Sequence, residues 1–132
     1  MLAKEPWQIN TIKVLDMVFE ERVRQIKKHG EAMRDLPDGT GPEESWLIPF
    51  SGNTADDIQE GFREDYEERT DRGQLTRMHL VREELAEAFE LDGDDPEFLA
   101  EIIQVAALCV QWAEYKLEVR EAIDRIVSEQ AS

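Results

Sequence analysis

The residues that point most directly to chemistry are the acidic ones in the segment 82–87, which reads Arg-Glu-Glu-Leu-Ala-Glu. If this segment is helical, Glu84 and Glu87 lie on one face, one turn apart. Two carboxylates placed in this way can bind one hard divalent cation such as Mg²⁺. The spacing alone does not distinguish them, because the chain contains other acidic pairs three residues apart, for example Glu64 and Glu67.

Apolar neighbours set this pair apart from the others. Glu84 and Glu87 border an apolar stripe, and the next apolar segment carries Glu101 and Gln104, the only polar residue at positions 102–110. A buried glutamine without a hydrogen-bond partner costs about 1–3 kcal/mol. Two antiparallel helices would bring both pairs face to face, where the carboxylates repel each other unless a cation binds. These residues predict a metal site. The alternative is that Glu101 only favours the first turn of its helix and Gln104 bonds a neighbouring helix.

The elements that must position these residues are helices. Apolar residues recur at three- and four-residue steps, no segment alternates as a half-buried strand does, and the predicted fold class is therefore all-α. Capping residues mark the helix ends, including Thr54 with Asp57, and Asp95 followed by Pro96. The predicted helices run from about Gln8 to His29, from after Thr54 to Gly73, from Thr76 to Leu91, and from Asp95 over about 30 residues.

Each predicted helix carries one apolar stripe. The stripes consist of Ile12, Leu15, Phe19, Val23 and Ile26; Ala55, Ile58, Phe62 and Tyr66; Met78, Val81, Leu85 and Ala88; and Phe98, Ile102, Val105, Cys109 and Trp112. The last stripe continues through Val119, Ile123 and Ile126, which makes the fourth helix too long for one small bundle to cover. We therefore expect a homo-oligomer in which a second chain covers the far end of this helix.

Composition limits the classes of partner. The 132 residues suit one domain, 1–132, interrupted by a loop at 30–53 that holds four of the seven glycines and three of the five prolines. With 15 basic and 31 acidic side chains, the net charge is −16, which disfavours nucleic acid and anionic membranes as partners. No apolar run is long enough for a membrane span, no leader is evident and Cys109 is the only cysteine, so we expect a cytoplasmic protein.

Several segments together resemble a known enzyme family. Residues 82–87, followed by Glu101-Ile102-Ile103-Gln104, are similar to the Glu-Glu-x-x-Glu…Glu-x-x-Asp signature of the MazG-like all-α nucleoside triphosphate pyrophosphohydrolases. Upstream, residues 21–30 and 37–42 resemble the small MazG-like proteins of phages and actinobacteria, as do residues 104–107 and the pair Gln111-Trp112. The resemblance covers about residues 19–115.

The resemblance implies a four-helix bundle-like fold, completed as a dimer or tetramer. It implies an enzyme that splits a nucleoside triphosphate into the monophosphate and pyrophosphate with Mg²⁺, or alternatively Mn²⁺. Carried over by position, Glu84, Glu87 and Glu101 are metal ligands, and Glu83 is a further ligand or orients the attacking water. Gln104 stands where the family has Asp, so this fourth ligand would be a neutral amide oxygen.

Other residues are candidates for holding the substrate. Gln25, Lys28 and His29 at the end of the first helix, with Trp46 in the following loop, are candidates for contact with the nucleobase; His29 stands where the family has Trp. Arg82, Lys116 and Arg120 are candidates for the phosphates. For Lys116 and Arg120, the alternative is pairing with nearby acids of the same helix.

A second function class is open on the sequence alone. A compact helical protein with a net charge of −16 can act as an acidic interaction module that mimics nucleic acid or binds a basic partner. In that case the carboxylates at residues 83–101 would be the remnant of a metal site. Binding of a divalent metal distinguishes the two classes, because only the enzyme requires it.

Overall fold

The computed structural model describes residues 5–30, 34–44 and 54–131. Within these ranges the chain forms four α-helices and no strand, as the periodicity predicts: α1 Pro6–His29, α2 Ala55–Asp71, α3 Arg77–Glu90 and α4 Phe98–Ala131. Trp46, a candidate for contact with the nucleobase, lies outside the described residues. None of the four helices, over the described ranges, combines the length and apolar character that crossing a bilayer requires.

The helices pack in the order α1, α4, α3, α2, each against the next. Val18 of α1 packs with Ile103 and Ala107 of α4 in one buried cluster. In α3, Met78 and Ala88 are buried, while the predicted Val81 and Leu85 are half-buried. α3 and α4 each contact two helices, so they form the centre of the bundle.

Capping residues determine most of the helix ends. The Thr54 hydroxyl accepts the Asp57 backbone N–H at 3.2 Å and the Asp57 carboxylate accepts the Thr54 backbone N–H at 3.2 Å, which confirms the predicted capping box of α2. The start of α4 differs from the prediction. The Asp95 carboxylate accepts the Glu97 N–H at 2.9 Å and the Asp95 carbonyl accepts the Phe98 N–H at 3.0 Å, so a tight turn precedes the regular helix.

The predicted apolar stripe of α4 faces the core only in part. The residues that α4 buries are Ile103, Ala107 and Gln111. Of the predicted residues, Phe98, Val105 and Trp112 are half-buried, whereas Ile102 and Cys109 are exposed. The reason is that apolar residues surround α4 over positions 102–110, so periodicity alone does not identify the side that faces α1 and α3.

The stripe of α1 likewise lies outside the core of this chain. Val18 and Arg22 are the buried residues of α1, while Leu15, Phe19 and Ile26 are exposed, Phe19 by 70%. The side of α1 that packs on α4 carries Arg22, whose Nη2 donates to the Glu114 carboxylate at 2.6 Å. The apolar stripe is therefore left on the surface of the single chain.

Residues 34–44 of the long loop dock on the start of α3. The backbone N–H groups of Arg77 and Met78 donate to the carbonyls of Pro37 and Asp38 at 2.9 and 3.0 Å, so the loop satisfies donors that a helix start leaves unpaired. Gly39 has φ 74°, and a Cβ at this position would lie 2.2 Å from the Thr76 hydroxyl oxygen. The contact between loop and helix therefore requires glycine at position 39.

Replacing Gly39 by alanine is expected to destabilise the protein by about 1–3 kcal/mol, because the new methyl collides with Thr76 and the left-handed backbone disfavours any side chain. Urea unfolding of Gly39→Ala measures this loss. Gly93→Ala is the matched control, since nothing lies within 4 Å of its added Cβ. Equal stability of the two variants would contradict the docking of the loop.

Candidate metal centre

Three carboxylates meet where α3 packs against α4. Glu84 and Glu87 of α3 and Glu101 of α4 each offer one oxygen, and these oxygens lie within 4.8 Å of one another. All three side chains are partly buried. The short connection between α3 and α4 makes the helices antiparallel neighbours, and this places the acidic pair of α3 opposite the first turn of α4.

Two oxygens of this cluster are buried without a hydrogen-bond donor. Oε2 of Glu84 and Oε2 of Glu101 have no partner among the described residues. Buried carboxylate oxygens are normally hydrogen-bonded or bound to a cation, because an unpaired one loses the hydration it had in the unfolded chain. The cluster therefore offers three oxygen ligands and buried oxygens without a partner, which are features of a site for a hard divalent cation.

The electrostatics of the cluster point the same way. Burial and the charges of Glu87, Glu101 and Glu83 raise the pKa of Glu84 to about 7. Burial, together with Glu87 and other nearby acids, also raises the pKa of Glu101. Both pKa values rise because too little positive charge lies nearby to stabilise the ionised carboxylates. A bound cation would provide that charge and favour the ionised forms.

Glu83 adds a carboxyl group with a different position. It precedes Glu84 on α3 and lines a cavity beside the cluster. Burial, followed by the charges of Glu87 and Glu67, raises its pKa to about 7. A carboxyl group with this pKa can accept a proton near neutral pH, which is what a general base requires.

The cavity beside the cluster has a volume of about 400 Å³, which lies in the range of small-molecule sites. Of the residues predicted from the sequence, Gln25, Lys28 and His29 line it from α1, and Glu83, Glu84 and Gln104 line it from α3 and α4. The structure thus brings the candidate base-binding residues to one cavity with Glu83 and Glu84, whereas Glu87 and Glu101 do not line it. Gln104 is half-buried.

Arg82 does not take the position predicted for a phosphate-binding residue. Its side chain is 2% exposed, its Nη2 lies 2.5 Å from Oδ2 of Asp65, and its guanidinium group stacks 4.2 Å from the centre of the Phe62 ring. Both contacts are with α2. Consecutive residues of a helix point in different directions, so Arg82 points toward α2, whereas Glu83 and Glu84 point to the cavity.

Lys116 and Arg120 also lie outside the cavity wall that the described residues form. The Lys116 ammonium group pairs with the Asp38 carboxylate at 2.5 Å, a different partner from the nearby acids considered above. The Lys116 contact, and a hydrogen bond from Trp112, lower the pKa of Asp38 against the opposing effect of burial. Lys116 thus ties the loop to α4, and Arg120 is exposed on α4.

Glu21 and Arg24 line the same cavity and were not identified from the sequence. Their side chains form an ion pair at 2.6 Å, in which Glu21 is largely buried. Glu21 is also one of the charges that raise the pKa of Glu101. A signal was present in the sequence, since Glu21, Arg24 and Lys28 recur at three- and four-residue steps as one polar stripe of α1.

A buried polar cluster fixes α2 against α3 behind the cavity. Asp65 receives hydrogen bonds from Arg82 at 2.5 Å and Arg69 at 3.0 Å, and these contacts lower its pKa although burial opposes the change. His79 is buried beside them, and burial together with the charges of Arg69 and Arg82 lowers its pKa to about 4. His79 is therefore a neutral core residue at pH 7.

Comparison with known proteins adds no relative: no family model, curated protein or solved structure matches this chain. The geometry of the cavity and the carboxylate cluster is therefore the basis on which a function is proposed.

The metal-free protein is expected to lose stability as the pH rises from 4.5 to about 7, because Glu84 has a pKa of about 7 when folded and 4.5 as its ordinary value. Between these values the folded chain binds more protons than the unfolded chain, so the free energy of unfolding falls with rising pH and levels off above the folded pKa. Urea unfolding in the presence of a chelator measures this slope.

Glu84→Gln is expected to flatten that pH dependence. His79 titrates in the opposite sense, since its pKa of about 4 lies below the ordinary 6.5, but it contributes equally to both proteins. The difference between the two curves therefore reports Glu84 together with the carboxyl groups that interact with it. Parallel curves for parent and variant would show that Glu84 is not held in an uncompensated acidic cluster.

Proposed function

We propose that this chain is a MazG-like, Mg²⁺-dependent nucleoside triphosphate pyrophosphohydrolase, with Mn²⁺ as an alternative metal. The observation that carries the proposal is the cluster of Glu84, Glu87 and Glu101, in which one oxygen of each carboxylate lies within 4.8 Å of the others. One buried oxygen of Glu84 and one of Glu101 have no hydrogen-bond partner among the described residues. The cluster borders a cavity of about 400 Å³ that also holds basic residues. The resemblance of residues 82–104 to the family signature supports the same assignment.

Glu84, Glu87 and Glu101 would hold the cation, with Gln104 able to add a neutral oxygen. When bound, Mg²⁺ offsets the charge of the triphosphate and lowers the pKa of a coordinated water. Without a positive charge of this kind, a chain of net charge −16 repels an anionic substrate.

Glu83 is the proposed proton acceptor. Its carboxyl group lines the cavity beside Glu84 and has a pKa of about 7. In the reaction, a water oxygen forms a bond to phosphorus, the bridge between the α- and β-phosphoryl groups breaks, and Glu83 takes the proton of the water. The products are the nucleoside monophosphate and pyrophosphate.

Residues of α1 would bind the rest of the substrate. Lys28 and Arg24, the latter paired with Glu21, line the cavity and are the proposed contacts for phosphate charge. They replace Arg82 and Lys116, which do not line the cavity and which pair with Asp65 and Asp38. Gln25 and His29 line the same wall and remain the proposed contacts for the base or sugar. Positioning and charge stabilisation of this kind account for most of the catalysis in phosphoryl transfer.

The direct test is release of pyrophosphate from common and modified nucleoside triphosphates with Mg²⁺ present. We expect Glu84→Gln to lower kcat/KM by about 100-fold or more, because the variant loses a charged ligand of the cation that would stabilise the phosphate charge of the substrate. Glu64→Gln is the control, since Glu64 and Glu67 have the same spacing on α2 and are exposed. Equal rates for parent and Glu84→Gln would refute the site.

If no triphosphate is hydrolysed and no divalent metal binds, the acidic interaction module becomes the better hypothesis. Such a module would compete with DNA for a basic protein, and added salt would weaken the competition. The carboxylates would then be expected to tolerate substitution without loss of that competition.

We also propose that a second copy of the chain covers the exposed apolar surface of α1 and α4. Large side chains on both helices are exposed, among them Phe19 by 70% and Ile123 by 55%. Glu118 of α4 pairs with Arg34 of the loop, and α4 continues beyond this contact to Ala131. Apolar surface of this extent normally marks an interface, and two antiparallel copies of one long helix are a natural way to bury it.

Ile123→Asp is expected to convert an oligomeric parent to monomers, since the charge would be buried in the interface without a partner. Sedimentation velocity at micromolar concentration measures the change. Glu121→Gln, a substitution of an exposed polar residue two positions away, is the control and should leave the assembly intact. A parent that sediments as a monomer would contradict the proposed second copy.

A further inference from the structure

Gln111 is a buried polar residue that the proposed chemistry does not use. It lies on α4, is 4% exposed, and lines the cavity. Its Oε1 faces Arg77, whose Nη1 donates to it at 3.4 Å. A guanidinium group has only donors, so the reverse orientation of the amide would place two donors against each other. The carbonyl end of Gln111 is therefore turned to Arg77, and the amide NH₂ is the polar group left for the cavity.

Arg77 is itself held firmly, so this orientation is fixed in advance of binding. Its side chain is buried, and its guanidinium group lies 4.4 Å from the centre of the Tyr115 ring. Its Nη2 donates to the Arg34 carbonyl at 3.4 Å, and its backbone N–H donates to Pro37 at 2.9 Å. A polar group held this way can discriminate between ligands, because it cannot turn to suit either one.

The cavity also offers an acceptor and apolar walls. Oε1 of Gln25 is buried and has no hydrogen-bond partner among the described residues. Leu80 and Leu108 line the cavity and can contact the faces of a flat ring. The wall thus presents an N–H donor from Gln111, an acceptor from Gln25 and apolar surface between polar edges, which is the pattern of a site for a heteroaromatic base.

We propose that Gln111 selects nucleotides whose base carries a ring carbonyl, either a 4-oxo pyrimidine or a 6-oxo purine, over the corresponding amino bases. The Gln111 amide donates to the carbonyl oxygen, and Gln25 accepts the adjacent ring N–H. An amino base would place its NH₂ against the Gln111 NH₂ and leave both donors unpaired. This inference rests on the proposed nucleotide site and assigns to it a class of base.

The test is the binding of nucleoside monophosphates to the protein in the presence of Mg²⁺, measured by calorimetry. UMP and CMP differ at this edge of the pyrimidine ring, as do IMP and AMP for the purine ring, so the two pairs also separate pyrimidine from purine preference. We expect the oxo member of the preferred pair to bind about tenfold more tightly than its amino partner, the size of one well-placed hydrogen-bond difference.

Gln111→Glu is the decisive variant. It keeps the size of the side chain and an oxygen for Arg77, but it replaces the donor that faces the cavity by an acceptor. We expect the preference to reverse toward CMP or AMP. Gln111→Met keeps the volume without polar groups, and it is expected to bind both members of a pair within about twofold. Thermal unfolding of each variant shows that it is folded.

Equal binding of oxo and amino partners by the parent would overturn the inference, as would an unchanged preference in Gln111→Glu. Absence of binding by all four monophosphates would also overturn it. Failure of the proposed function looks different, because selective binding of monophosphates without any release of pyrophosphate refutes the enzyme and leaves the role of Gln111 standing. Hydrolysis without discrimination refutes the role of Gln111 alone.

Discussion

Mutual repulsion between Glu84, Glu87 and Glu101 is the constraint on which the rest of the site depends. Helix packing, not attraction between the carboxylates, holds the three groups together, because α3 and α4 pack against each other and both carry buried apolar residues, such as Ala88 and Ala107. The fold thus maintains a concentration of negative charge that water solvates poorly. Under the proposed function, a bound cation would offset the free energy that burial costs the carboxylates.

Two buried arginines of α3 support the site from opposite sides. Arg82 bonds Asp65 and fixes α2, while Arg77 faces Gln111 and the docked loop. Since the two arginines lie on the same helix as Glu83, Glu84 and Glu87, α3 positions these carboxylates and, through Arg77, the side chain of Gln111. A shift of α3 would therefore disturb the carboxylate cluster and Gln111 together, although Arg82 itself does not line the cavity.

Local chemistry in the sequence was sufficient to predict the helix class, the cap at Thr54 and the meeting of Glu84 with Glu101, because spacing and a short connection determine these features. Long-range choices were not accessible in the same way. The partner of Arg82 lies 17 residues away and the partner of Trp112 lies 74 residues away, and no periodicity reports such pairs. Which side of α4 is buried was also undetermined, since apolar residues surround this part of the helix.

X-ray diffraction from crystals soaked in Mn²⁺ shows whether the carboxylate cluster binds a divalent cation. We expect an anomalous difference peak between α3 and α4, roughly 2.1 Å from an oxygen of each of Glu84, Glu87 and Glu101. A map without a peak at this place, with the three carboxylates turned apart or paired with basic side chains, would contradict it.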